Sequence, residues 1–183
     1  MAPRYAEPEQ WTLARWVEEN TPGRRSGAMG PGYLKPLMRR EFLVGKDLWY
    51  REALRNSEDY LLIAEVLASS GAVWTIPSIG YFYTRHAGSI SHRIKPHHLL
   101  SLLHEEEAVL LSDSYELSED DRSVLGRRHA ALRNAIACEE AIASLKDRRP
   151  LIVPVILARC PGAIPLMLDW LKEVIAKRLD RLT

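Results

Sequence analysis

The stretch Ser57-Glu58-Asp59-Tyr60-Leu61-Leu62-Ile63-Ala64-Glu65-Val66-Leu67-Ala68-Ser69-Ser70-Gly71 decides how the chain is read: after two adjacent carboxylates it is apolar almost all the way round. That pattern predicts a helix buried on most sides, with Glu65 its one charge beyond the first turn. Ser57 suits the N-cap, Glu58 and Asp59 sit where the helix dipole favours anions, and Gly71 is the expected stop. On these residues alone the acidic pair is a helix cap. A chemical role can coexist with it, Ser57 capping while Asp59 points into a cleft.

Working outward, Pro8–Asn20 (PEQWTLARWVEEN) predicts a short helix with Leu13, Trp16 and Val17 on one side, closed by Asn20 and followed by a glycine-rich loop. Tyr33–Leu43 (YLKPLMRREFL) mixes apolar and basic residues around Pro36 and reads as an extended segment running into a turn or helix start. Downstream of Gly71, Ala72–Pro77 (AVWTIP) reads as a buried strand and Gly80–Arg85 (GYFYTR) as a second. Helix, strand and strand in that order imply an α/β or α+β unit.

From Pro96 onward the pattern is helical throughout. Leu132, Ala135, Cys138, Ile142 and Leu145 mark one helical face, and Leu168, Leu171, Ile175, Leu179 and Leu182 mark another. The second stripe, flanked by Lys172, Lys177, Arg178 and Arg181, is expected to bury against the helix at 132–145; the alternative is that it lies on a membrane surface. Pro150–Leu171 approaches spanning length, but its four prolines, Arg159 and Asp169 predict two short helices broken near Cys160-Pro161-Gly162. The expected division is a mixed α/β part, residues 1–95, followed by an all-helical tail, residues 96–183.

The chain of 183 residues carries 25 basic and 24 acidic side chains, so no global field attracts polyanions, and nucleic acid is not an expected partner. Charge falls in blocks. Seven basic residues between Pro22 and Arg51 could face an anion, and eight acids between Leu102 and Asp121 precede Arg122, Arg127, Arg128 and Arg133, with which they are expected to pair or solvate. Cys138 and Cys160 have no metal-ligand spacing and read as buried thiols. His97, His98 and His104 read as surface residues beside a solvated run, Glu105-Glu106-Glu107, so no metal site is expected. The opening MAPRYAEPEQW lacks the apolar core of a signal peptide, which fits a cytoplasmic location, with the inner face of a membrane as a further expectation.

Three motifs occur in order: GYLKPLMRREFL (Gly32–Leu43), SEDYLL (Ser57–Leu62) and GYFYTRHAGSISHR (Gly80–Arg93). In that order and spacing they resemble the C-terminal, acceptor-side half of a family 2 glycosyltransferase catalytic domain. That family consists of inverting enzymes of GT-A fold, and the nearest likeness is to the bacterial exopolysaccharide branch of succinoglycan-biosynthesis type. The resemblance covers roughly residues 5 to 110. It implies a fold with part of a GT-A sheet and flanking helices, then the helical tail, mostly helical overall.

The resemblance also implies a chemistry, hexosyl transfer from a nucleotide sugar to an oligosaccharide acceptor, with a lipid-linked acceptor expected in that branch. Asp59 falls at the place of the aspartate in the family's ED motif, the general base toward the acceptor hydroxyl, with Glu58 beside it. Such a base must stand within hydrogen-bond reach of the acceptor oxygen, and a helix N-terminus suits an ionised carboxylate. Arg39 and Arg40 match the family's paired arginines. Arg85, Ser89, Ser91 and His92, on the loop after the last strand, together with Lys35, would grip diphosphate or sugar hydroxyls.

The chain departs from the family in one respect. No apolar strand ending in D-x-D, the motif whose carboxylates hold Mn²⁺ or Mg²⁺ against the donor diphosphate, occurs in these residues; Asp113 and Glu119–Asp121 lie in the helical acidic block. No cofactor is therefore expected on this chain alone, and a divalent metal is expected only with a nucleotide-binding half. The departure leads to the expectation of a partner chain carrying that half, a truncated reading frame or a degenerate remnant; a homo-oligomer is a further expectation. The rival reading is a non-catalytic helical interaction module.

Overall fold

The computed structural model describes residues 7–22, 31, 35–78, 80 and 96–180. Its elements run β1 (Glu9–Trp11), α1 (Leu13–Glu19), α2 (Arg40–Gly45), α3 (Glu58–Ala68), β2 (Val73–Thr75), α4 (Pro96–Leu110), α5 (Glu119–Lys146), α6 (Val153–Arg159) and α7 (Ile164–Leu179), with single 3-10 turns before α6 and α7. The fold is mostly helical with a small sheet. β1 and β2 pair antiparallel, Gln10 opposite Trp74. β1 occupies residues the sequence pattern gave to the first helix, which instead begins at Leu13, where Thr12 Oγ1 accepts from the Arg15 amide at 3.2 Å. β2 is not the buried strand expected of AVWTIP, since Trp74 and Ile76 are more than half exposed. The companion strand predicted at Gly80–Arg85 lies, from Tyr81 on, outside the described residues.

α3 follows its sequence closely: Tyr60 through Glu65 are all buried. Its ends differ in detail from expectation. Ser57 adopts a left-handed conformation (φ 66°) and makes no side-chain capping bond. At the other end Ser70 takes the left-handed position (φ 63°), its amide donating to Leu67 O while that of Gly71 donates to Val66 O at 2.8 Å. Gly71 is required for closeness: a Cβ there would lie 2.6 Å from the Val66 carbonyl oxygen and 3.0 Å from Phe42 Cζ, which brings α2 over the end of α3.

α5 is the spine, 28 residues opened by a reciprocal cap in which Ser118 Oγ accepts from the Asp121 amide and Asp121 accepts from the Ser118 amide. Val124, Leu125 and Leu132 of its first half close a core with Trp11, Trp16, Val17, Tyr60, Leu61 and Leu110. Ala137, Cys138, Ala141 and Ile142 of its second half form a smaller core with Ala163 and Met167. Cys160 is only partly buried, and its thiol donates to Asn134 Oδ1 at 3.0 Å.

At the middle of the larger core stands a buried ion pair. Arg128 Nε donates to both oxygens of Glu106 at 3.0 Å, and its guanidinium lies 3.9 Å over the Tyr60 ring while another nitrogen donates to the Asn20 carbonyl. Glu106 belongs to the run read as solvated, yet it is fully buried and accepts from the Tyr60 hydroxyl at 3.3 Å. Pairing between the acidic and basic blocks is as expected in kind: Arg128 with Glu106, and Arg133 with Glu107.

Burial alone would raise the Glu106 carboxyl, but the Arg128 charge and the hydrogen bonds outweigh it and hold the group below the ordinary carboxylate value. His129 Nε2 stands 3.2 Å from Glu106 Oε1 yet out of line for a hydrogen bond, so the lowering rests chiefly on Arg128. A carboxyl lowered on folding adds stability that is complete above its unfolded value and lost as pH falls through the folded one. Thermal midpoints should therefore drop as pH is taken below about 4. Arg128→Met should cost about 3–5 kcal/mol in urea unfolding by stranding Glu106, whereas Arg128→Met with Glu106→Leu should recover most of that loss.

Candidate functional site

Asp59 sits in the first turn of α3, its side chain about a third exposed, while its neighbour Tyr60 is locked into the core. The helix is thus fixed one residue beyond the carboxylate. Two groups approach Asp59. Lys35 Nζ, from the extended segment before α2, stands 3.9 Å from Asp59 Oδ2. The second is Tyr50: burial first, then the neighbouring Asp59 carboxylate, then the charge of Glu58, raise its phenol above the ordinary value.

Tyr50 is delivered by the loop between α2 and α3, which is anchored at several points. Leu48 and Leu54 are buried, and Asn56 Nδ2 lies 3.3 Å from His98 Nδ1. Arg51 Nη2 donates at 2.6 Å to Glu65 Oε1, which also accepts from the Tyr115 hydroxyl at 3.4 Å. Glu65 is 1% exposed, so the one charge in the middle of α3 is spent on holding this loop. Arg51 Nε and Glu65 Oε2 stay buried without hydrogen bonds. No sequence pattern marked Tyr50: its place follows from a loop path set by Arg51 and the two leucines.

The structure brings together Asp59, Lys35 and, through its charge on Tyr50, Glu58. Arg39 and Arg40 are exposed at the start of α2 and form no ion pair with Asp59 or Glu58. Arg85, Ser89, Ser91 and His92 lie outside the described residues. Among the described residues, no group of three or more His, Cys, Asp or Glu side chains is placed to hold a metal ion. A cavity of about 310 Å³ lies at the opposite end of α3, between Leu67, Ser70, Leu13 and Ser118, and contains none of the predicted site residues.

Fold and site together define a mostly helical protein that presents a carboxylate, a phenol and an amine at the head of a buried helix. Two curated proteins of Rhizobium meliloti (strain 1021) are similar to it. Succinoglycan biosynthesis protein ExoO is 35% identical over 176 residues, which take in 94% of this chain and 47% of the relative. Succinoglycan biosynthesis protein ExoU is 38% identical over 125 residues, 67% of this chain and 35% of the relative. The chain thus spans about half the length of the first and about a third of the second. No family model and no solved structure matches the chain.

Because Ser57 holds no capping bond, Ser57→Ala should change unfolding stability by less than about 0.5 kcal/mol. Thr12→Ala and Ser118→Ala, which remove caps that are present, should each cost about 1 kcal/mol in the same denaturation experiment.

Proposed function

We propose that this chain serves glycosyl transfer in exopolysaccharide synthesis, as the acceptor-side part of an inverting transferase of family 2 and GT-A fold. The observation that carries the reading is the setting of Asp59: a part-exposed carboxylate on a rigid helix start, with Lys35 Nζ 3.9 Å from it and the Tyr50 phenol in its field. Its support from relatives is the similarity to two proteins named for succinoglycan biosynthesis.

In the proposed reaction Asp59 accepts the proton of an acceptor sugar hydroxyl as that oxygen attacks the anomeric carbon of a nucleotide-activated hexose. The bond from the anomeric carbon to the diphosphate oxygen breaks with inversion, and the electron pair leaves on the nucleoside diphosphate. The acceptor hydroxyl donates to Asp59 beside Tyr50, and Lys35 keeps the carboxylate oriented. Arg39, Arg40, Arg85, Ser89, Ser91 and His92 are the proposed grips on diphosphate and sugar hydroxyls, with Glu58 a supporting charge. No step here runs through a metal. Donor binding is assigned to a nucleotide-binding half, for which the exposed Leu37, Val44 and Trp49 offer an apolar contact surface near the site loop.

The test is hexose transfer from a nucleotide sugar to lipid-linked oligosaccharide, assayed with this chain and a nucleotide-binding half. Asp59→Asn should lower the turnover about 10²–10⁴-fold with little change in stability, the span expected for loss of a general base. Tyr50→Phe should reduce it by about tenfold or less, as befits a positioning contact. Full activity in the Asn variant would remove Asp59 from the mechanism. Acceptor binding without transfer by the unaltered protein would leave only the binding module.

A further inference from the structure

The stripe expected to bury against α5 does not. Leu168, Leu171, Ile175 and Leu179 are 37–59% exposed, and Ile164, one turn earlier on the same line, is 42% exposed. α7 meets α5 through a different set, Ala163 and Met167 with Leu166 and Trp170 beside them. Between Leu171 and Asp180 only Val174 is even partly buried, so the last two turns and more of α7 project from the body with their apolar line exposed.

The charges on α7 are sorted around that line. At about 100° per residue, the five apolar positions from Ile164 to Leu179 fall within an arc of about 80°, Lys172 and Arg178 stand about 20° beyond its two edges, and Asp169, Glu173 and Asp180 gather on the far side, where Lys177 pairs with Glu173. Lys172 is three-quarters exposed in its contact with Asp169, and such a surface pair gives way readily to another anion. The sorting extends beyond α7. Between Lys146 and Asp180 there are seven basic and four acidic residues, in a chain that is otherwise near neutral. Three of the seven, Lys146, Arg148 and Arg149, lead directly into Leu151, which is 87% exposed.

We infer that the exposed face of α7, with its basic rims, is a seat for an anionic lipid surface, the helix lying in the plane of the interface. Long basic side chains at the rims reach headgroup phosphates while their stems and the leucine line enter the acyl boundary, and the carboxylates face water. A second copy of the chain docked stripe to stripe would bring Lys172 and Arg178 rims against like rims while the carboxylates faced away. Spanning is a different geometry: no single described helix is long and apolar enough to cross a membrane, and the pair made by the α6 and α7 segments is bent by 116°.

The experiment is co-sedimentation of the full chain with vesicles of phosphatidylcholine alone and with added phosphatidylglycerol. Binding to the anionic vesicles should exceed that to neutral ones by about tenfold or more and weaken as salt is raised. Leu168→Ser with Ile175→Ser, both at exposed positions and checked for unchanged helicity, should lose binding by about tenfold. Lys172→Glu with Arg178→Glu should abolish the preference for anionic lipid. Equal binding to both vesicle types, or undiminished binding by the serine pair, would overturn the inference. So would a dimer in light scattering that the serine pair converts to monomer.

Discussion

The architecture turns on the contact between Arg128 and Glu106. Four helices meet there: α5 supplies the guanidinium, α4 the carboxylate, α3 the Tyr60 ring under the cation, and α1 the residue beyond its end, Asn20, whose carbonyl takes a further donor. Two ions in a dry core are stabilising only when their remaining hydrogen-bonding groups are also occupied. That requirement specifies geometry in a way that apolar contact does not. Leu61, Leu110 and Leu125 can slide against one another at small cost, whereas Arg128 can reach both carboxylate oxygens, the ring and the carbonyl only in one mutual placement of the four helices.

The same contact fixes the reactive end of α3. Tyr60 is held by Arg128 on its face, by Glu106 at its hydroxyl, and through its backbone carbonyl by Trp16 Nε1 at 3.0 Å. Asp59 precedes it by one residue and has little freedom of its own. Two turns along, Glu65 holds Arg51 and with it the loop that carries Tyr50. One helix therefore positions both the carboxylate and the phenol that approaches it, and its two inward polar groups, Tyr60 and Glu65, are the means.

Much of this was legible in the sequence for a physical reason: the signals were local. The all-round apolarity of α3, the helical character after Pro96 and the break near Cys160 each follow from neighbours a few residues apart, and each is present. What was not legible depended on distant partners. Glu106 looked like its solvated neighbours because Arg128, 22 residues later, is what makes its burial tolerable. Ser57 had the right side chain for a cap, but the loop anchored by Arg51 enters the helix through a left-handed residue, which turns that side chain away from the first-turn amides. Lys35, expected as a grip on diphosphate or sugar hydroxyls, stands 3.9 Å from Asp59; Tyr50 carries no signal because its position depends on the anchors on either side of it.

The reading of α7 failed for a related reason, and the failure says what α5 can do. The sequence of α7 offers two apolar lines, Ala163-Met167-Trp170-Val174 and the longer Ile164-Leu168-Leu171-Ile175-Leu179, and the longer one looked like the natural core face. But the second half of α5 presents Ala137, Ala141 and Cys138, small groups that admit close approach and are matched by Ala163 at the start of α7 rather than by a row of leucines. Residues 150–163, turning sharply, already occupy part of the same face of α5 through Val153, Ile156 and Leu157. A single helix flanked in this way has room for one narrow line of α7. The broader line is left outside with basic residues at its edges, and the small-residue surface of α5 is what puts it there.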